Sequence, residues 1–551
     1  MLPVVACTDA GGGDIFDTIQ KGNIDQCAHI IQLDRSTLKQ KGWGGFTPLH
    51  YAAFQGNRAL AELLLSSGAD TNVPCDAGQT PFHFACRHGN IYIMHQMQQH
   101  GADLRLADHQ GKTAFHHSVA GGSIFAVQYL KETGMFNFSD TDKFLITPLH
   151  LAASTGNTDV VKYLLRNNRC PADAADQQGM TALHVAAEKG AIEVSWLLLQ
   201  SAGLRILHLR SHSGLAPLDL CRHGTTFRHQ ELTQILNQFI NEPTDQKPRE
   251  SYVMYYWTLL FPSVCGAVIL LIAAALGGYG GVFCGLLFPC LGKSILSQYH
   301  RMNSYQGLPN PVYLGTLGAG IFHSLVCFVC KIMPNIWPAN TLLHVSIVHF
   351  FVVLWMFWKV LTKDPGQLHE PEADPRFSSI MDLVEANQNP SKFCIYCELF
   401  QPENCKHCKL CNVCVLEYDH HCLFLNHCVG RDNHRLFVVF ILALAVAHAL
   451  FICSAACYLS GKYPGPGRPA WTAVAGAEAW VLVLAIMNLL TAVWEGWLLK
   501  EQLEAISEGT TTYFRHCGSE RRPLRQRWGA VASFLLQGKV PKRQRRSPVA
   551  V

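Results

Sequence analysis

Apolar positions follow two patterns along this chain. Through residues 14–240 they come as short runs, such as Leu63-Leu64-Leu65, Tyr163-Leu164-Leu165 and Leu197-Leu198-Leu199. Small residues and glycine turns separate these runs, which suits short helices that each bury one face. From residue 252 the runs lengthen to the roughly 17 to 25 residues that cross about 30 Å of hydrocarbon. They predict membrane helices over Tyr252–Leu276, Gly278–Leu296, Val312–Ile332, Leu342–Leu361, Leu436–Leu459 and Ala473–Leu499. Residues 241–251, polar and proline-containing, read as a linker, and the polar stretch 362–435 interrupts the apolar series. The expected order is therefore a soluble array (14–240), four spans (252–361), a polar domain (362–435), two spans (436–499) and a tail (500–551).

The short runs repeat. Thr47-Pro48-Leu49-His50 returns as Thr80-Pro81-Phe82-His83, Thr113-Ala114-Phe115-His116, Thr147-Pro148-Leu149-His150 and Thr181-Ala182-Leu183-His184, at a spacing of 33 or 34 residues. That is the period of the ankyrin repeat, a helix pair that stacks into a solenoid. A weaker copy near 14–23 and a degenerate one near 215–220 flank the five clear ones, as expected of ends that face solvent. The histidine's fixed place in each Thr-x-x-His unit argues for hydrogen bonds inside the repeat and against metal ligation. A solenoid offers an extended binding surface, so the array is expected to recruit protein partners.

Six spans return the chain to the side on which it started. The tail from Arg515 to Arg546 is rich in Lys and Arg with Glu520 its single acid, which assigns that side to the cytosol. The polar domain and the repeats then share the cytosolic compartment. A tail of this kind suits anionic membrane lipid, and without interleaved aromatics it does not suit nucleic acid. Apolar residues make up 49 % of the chain and charged ones 15 %, in line with a membrane protein. Residues 1–14 lack a basic region followed by an apolar one, so no secretory signal is expected.

Of 22 cysteines, eight fall between Cys394 and Cys428, interleaved with histidines at short spacings. This favours metal ligation over disulfides. Cys394, Cys397, Cys408, Cys411, Cys414 and Cys428 supply six donors, and two histidines complete the eight that two tetrahedral zinc ions need. With both shells filled by protein, the zinc ions are structural, and their binding energy becomes folding energy for a segment with little apolar core.

The segment Asp419-His420-His421-Cys422 within this frame resembles the DHHC cysteine-rich domain of protein S-acyltransferases. Asp364-Pro365-Gly366 is similar to that family's DPG motif, and Asn433 and Phe437 follow Cys428 at the family spacing. The resemblance implies one zinc on Cys394, Cys397, His407 and Cys414, and another on Cys408, Cys411, His421 and Cys428. With repeats ahead of six spans, the whole chain resembles the ankyrin-repeat, huntingtin-interacting branch of these palmitoyltransferases. The expected fold is all-α: an ankyrin solenoid and a six-helix transmembrane domain carrying a zinc-bound DHHC domain.

A free thiol is a poor nucleophile at neutral pH and needs a base. His420 can take the proton of Cys422 and Asp419 can orient that imidazole, which makes Cys422, His420 and Asp419 the expected catalytic set. The resemblance implies a long-chain acyl-CoA, palmitoyl-CoA above all, as co-substrate, with the acyl group expected to pass through Cys422 to cysteines of proteins held on the repeats. Family resemblance also implies a multi-pass protein of the Golgi or other endomembranes with both termini in the cytosol. Two features depart from the family: Leu423-Phe424 replaces Pro-Trp after the signature, and Thr511-Thr512-Tyr513-Phe514 ends without the acid of the TTxE motif. Cys405 is an extra thiol, read as incidental. The alternative is a membrane-tethered scaffold with a structural zinc domain, and the retention of Asp419 and His420 argues against it.

Overall fold

The computed structural model describes residues 14–248, 253–276, 310–336, 341–369, 374, 376–463, 474, 477–515 and 523–538. They divide into two compact units, one from residues 1–249 with 374–400 and the other from 250–373 with 401–551.

In the first unit the array is a run of helix pairs. The five clear copies begin at Pro48–Gln55 with Arg58–Ser66 and close at Ala182–Lys189 with Ile192–Ala202. The weak copies at both ends also form complete pairs, Ile15–Lys21 with Ile24–Leu33 and Pro217–His223 with Phe227–Phe239. Thr47 starts its helix as N-cap, with Pro48 at the first helical position where a missing N–H costs nothing. Glycine at φ 74° ends the same helix at Gly56, and Gly89, Gly122, Gly156 and Gly190 repeat that stop. Small residues let neighbouring copies approach: a Cβ on Gly121 would lie 1.8 Å from the carbonyl oxygen of Arg87.

The repeat histidines are structural, as the sequence implies. His50 Nδ1 accepts from the Thr47 amide at 3.1 Å and hydroxyl at 2.8 Å, while its Nε2 meets the Gln79 carbonyl at 3.0 Å. His83, His116, His150 and His184 repeat this pattern onto Leu106, Asp140, Met180 and Leu215. Each ring therefore closes a helix start and ties one repeat to the next.

Four helices among the described residues of the second unit are long and apolar enough to cross a membrane: Val312–Ile336, Thr341–Thr362, His434–Lys462 and Ala479–Glu508. They stand at the third to sixth expected spans. A further apolar helix, Val253–Leu276, stands at the first, and the second, Gly278–Leu296, lies outside the described residues. On Thr341–Thr362 the exposed residues Val348, Phe351, Trp355 and Trp358 recur at helical spacing, a stripe suited to lipid. Other faces pack inward: a Cβ on Gly315 would lie 2.1 Å from the Leu259 carbonyl oxygen, so glycine sets the approach of the helices Val253–Leu276 and Val312–Cys327.

Candidate functional site

Three two-stranded hairpins carry the cysteine-rich segment: Phe393–Cys394 with Leu399–Phe400, Lys406–Cys408 with Val413–Val415, and His420–Cys422 with His427–Val429. Each is too short to bury a core of its own. Their register places ligands opposite one another, His407 against Cys414 and His421 against Cys428. The donor atoms of Cys408, Cys411, His421 and Cys428, all in the second unit, lie within 4.8 Å of one another, while Cys394 and Cys397 belong to the first unit and His407 and Cys414 to the second. The four in the second unit are one of the sets implied by resemblance. His421 turns Nδ1 toward three sulfurs, at 3.4 Å from Cys411 and 3.7 Å from Cys408 and Cys428. Two groups of three thiols and one imidazole fit tetrahedral zinc.

The DPG turn braces the second hairpin. Asp364 Oδ1 accepts from the amides of Gly366 at 2.6 Å and Gln367 at 2.9 Å, and the Gly366 carbonyl accepts from Leu416 N at 2.9 Å. Asn433 secures the exit: its amide donates to the Cys428 carbonyl at 2.8 Å and its oxygen accepts from Gly430 N at 2.9 Å.

The third hairpin brings the signature residues together. His420 Nδ1 lies 2.7 Å from Asp419 Oδ2, and Cys422 stands two residues on, on the same face of the strand His420–Cys422. Asp419 is 1 % exposed and receives two more donors: Thr512 N to Oδ1 at 2.7 Å and Gln502 Nε2 to Oδ2 at 2.8 Å. Burial alone would raise its pKa, but the hydrogen bond from His420, the nearby His434 and His420 charges and the Gln502 amide hold it well below the usual carboxylate range. For His420, burial opposes the charged ring, yet the bonds to Asp419 and Cys422 and their charges push it up to about 10. The arrangement thus favours the charged form of the His420 ring. Phe437 packs against the His420 ring at 5.3 Å.

Cys422 also lines a cavity of about 790 Å³ among the helices of the second unit. Phe440, Leu444, Phe451, Phe328 and Leu484 give it an apolar wall. Phe424, where the family has tryptophan, joins this wall between Trp494 at 5.1 Å and Tyr313 at 5.5 Å, so the departure keeps an aromatic in place. Partway along, the wall turns polar. His448 meets Asn488 at 2.6 Å and Glu495 at 3.3 Å, and Asn488 donates to Ser324 at 3.1 Å. Glu495 Oε2 has no hydrogen-bond partner among the described residues.

Sequence reasoning missed several residues. Gln502 bridges Asp419 to His434, whose Nε2 meets Gln502 Oε1 at 2.7 Å. Because the amide nitrogen donates to Asp419, its oxygen must accept, which puts the proton of His434 on Nε2. Nothing in the sequence singles Gln502 out, because it stands among Lys500, Glu501 and Glu504 just past a long apolar run. Arg515 pairs with Glu501 at 2.9 Å, Glu504 at 2.6 Å and Glu508 at 3.3 Å. It pins the strap in which Thr511 Oγ1 donates to the Tyr418 carbonyl at 2.7 Å, next to Phe514 where the family's acid is missing. Cys405 is buried.

Comparison with known proteins agrees with this geometry. Residues 387–516 match the DHHC palmitoyltransferase family, and residues 49–142 and 135–208 match the ankyrin repeats in three copies. The palmitoyltransferase akr1 of Emericella nidulans is 25 % identical over 37 % of this chain and 29 % of its own length. AKR1 of Eremothecium gossypii, also named a palmitoyltransferase, is 27 % identical over 35 % of this chain and 25 % of its own. The chain thus spans under a third of the length of these two relatives. Among solved structures, the ankyrin repeat domain of Bcl-3 is similar over 41 % of this chain and 100 % of that chain, at 24 % identity and TM-score 0.33. The chain carries a DHHC palmitoyltransferase domain together with an array of ankyrin repeats.

Proposed function

We propose that this protein is a protein S-acyltransferase that moves a long-chain acyl group, palmitoyl above all, from acyl-CoA to cysteines of proteins recruited by its repeats. The observation that carries the reading is Cys422, on the same strand face as an imidazole held by Asp419 and set at the wall of an apolar cavity. In the first step the Cys422 sulfur attacks the thioester carbonyl, its proton having passed to His420. The bond to CoA breaks, and the CoA thiolate takes the proton from His420. A substrate thiol, giving its proton to His420, then attacks the acyl-enzyme, and the departing Cys422 sulfur takes that proton back from His420, which restores the starting state. Asp419 does not touch the acyl group; it fixes the ring of His420 and stabilises its charge.

Two zinc ions, on Cys394, Cys397, His407 and Cys414 and on Cys408, Cys411, His421 and Cys428, would supply fold and no chemistry. The cavity gives the acyl chain an apolar berth, which is why such a reaction belongs to a membrane protein. Six spans with the repeats, the cysteine-rich domain and the basic tail facing the cytosol of an endomembrane such as the Golgi complete the proposal.

The test is transfer of label from a long-chain acyl-CoA to the purified full chain, compared with Cys422→Ser. A hydroxylamine-labile label on the wild type that is absent from the variant supports the reading. A wild type that takes no label while holding both zinc ions leaves only the tethered scaffold.

A further inference from the structure

Glu398 is an odd choice for its position. It follows the pair Cys394 and Cys397 and adopts φ 56°, in the left-handed region. Asn412 occupies the equivalent place after Cys411, at φ 57°. Asparagine and glycine tolerate that backbone, and glutamate has no local reason to be there. What selects a carboxylate lies within the same unit, on the ankyrin repeats.

Lys131, in the last turn of the helix Ile124–Glu132, places Nζ 3.2 Å from both carboxylate oxygens of Glu398. Arg169, 11 % exposed and stacked over the Tyr163 ring at 4.7 Å, hydrogen-bonds the same carboxylate. Arg166 lies 3.7 Å from it and donates to the Tyr396 carbonyl at 2.6 Å, between the two cysteines. Three cations on the array thus converge on one five-residue turn. The approach to that turn is gripped as well. Glu132 Oε2 accepts from the amides of Ile380 at 2.9 Å and Met381 at 3.3 Å, at the start of the helix Ile380–Glu385. Tyr92 donates to the Gln388 carbonyl at 2.8 Å, and Arg58 to Asn387 at 3.2 Å.

We propose that Lys131, Arg166 and Arg169 form a docking site on the ankyrin array for the chain's own first cysteine hairpin, with Glu398 as the positioning residue. The array then acts on the cysteine-rich domain directly, by setting the conformation of the turn that presents Cys394 and Cys397, in addition to recruiting partners. The part of this that concerns metal rests on the reading of those cysteines as zinc ligands.

The experiment uses the full chain in detergent. Hydrogen exchange of residues 394–400 is followed beside that of residues 406–415, together with release of zinc to a chelator. Glu398→Asn removes the charge and suits the backbone, so a turn governed by local preference alone is unharmed or improved. Docking predicts instead that exchange in 394–400 and loss of one zinc ion both speed up about tenfold. Residues 406–415 stay near wild type. Glu398→Arg is worse, and Glu398→Arg combined with Arg169→Glu recovers part of the loss. Higher salt speeds exchange in wild type and not in Glu398→Asn, because only the former has an ion cluster to screen. Wild-type exchange in Glu398→Asn, or no recovery in the double variant, overturns the proposal. A chain that holds no zinc yet shows the exchange changes and their recovery keeps the docking and removes the zinc reading.

Discussion

Replacing Gln502 by methionine keeps most of the side-chain volume and deletes the amide that joins Asp419 to His434. Asp419 Oδ2 then keeps His420 and loses a donor at 2.8 Å, and His434 loses its acceptor at 2.7 Å. Both atoms belong to residues at most 2 % exposed, so water is poorly placed to substitute. A hydrogen bond to a charged group is worth about 1.5–3 kcal/mol, and each 1.4 kcal/mol is about tenfold in rate. Thr512 N still holds Oδ1, so the carboxylate stays ionised but is free to turn. If that freedom is felt in the transition state, acyl-enzyme formation falls about 10- to 100-fold. Gln502→Glu, with the same shape, sets a second carboxylate beside Asp419 and lowers the rate at least as much. Single-turnover labelling at saturating acyl-CoA reads the step, with zinc content and melting temperature reporting on folding. A folded Gln502→Met that acylates within about twofold of wild type refutes the argument, leaving Asp419 oriented by Thr512 and His420 alone.

The repeats lose stability in acid. Burial, above all, lowers the pKa of His50 and of His83 to about 4. The folded rings stay neutral while unfolded ones take protons below about 6.5, so stability is complete above that value and falls as pH drops toward 4. At pH 5 the loss is about 2 kcal/mol per histidine, read as faster exchange of the array's amides than at pH 7 after correction for intrinsic rates. Unchanged protection between the two excludes it. Removing metal with a strong chelator is expected to abolish self-acylation while leaving the helical circular dichroism near its starting value; acylation by metal-free protein contradicts a structural role for zinc.

Short-range order was legible in the sequence. The Thr-x-x-His period located every clear repeat, because each copy must close its own helix start and reach the next carbonyl with the same ring. Ligand spacing located the cysteine-rich segment, since a metal shell forces cysteines and histidines into small separations, but not its three hairpins. What stayed hidden depends on residues far apart in sequence. The signature itself points to Asp419 as the orienter of His420, but nothing in it points 83 residues onward to Gln502. Arg515 standing near the missing acid, and Glu398 facing Lys131 across 267 residues, are likewise products of packing. The last expected span, Ala473–Leu499, ends on hydropathy alone, whereas the helix Ala479–Glu508 continues past Leu499 in polar final turns that carry Gln502 and the acids that hold Arg515, and Ala473 lies outside the described residues. Composition marks where a helix meets water, and here the helix continues past that point.

The polar patch inside the cavity gives it a life between reactions. A void lined by apolar carbon alone stays dry, but His448, Asn488 and the Glu495 oxygen that has no partner among the described residues offer water enough partners to hold it there. In the proposed reaction an arriving acyl chain must therefore drive water out of the middle of the membrane, and the chain's departure must let water return. Loading is a drying event, its heat-capacity change is negative, and the pace of release is set in part by how readily the empty cavity becomes wet again.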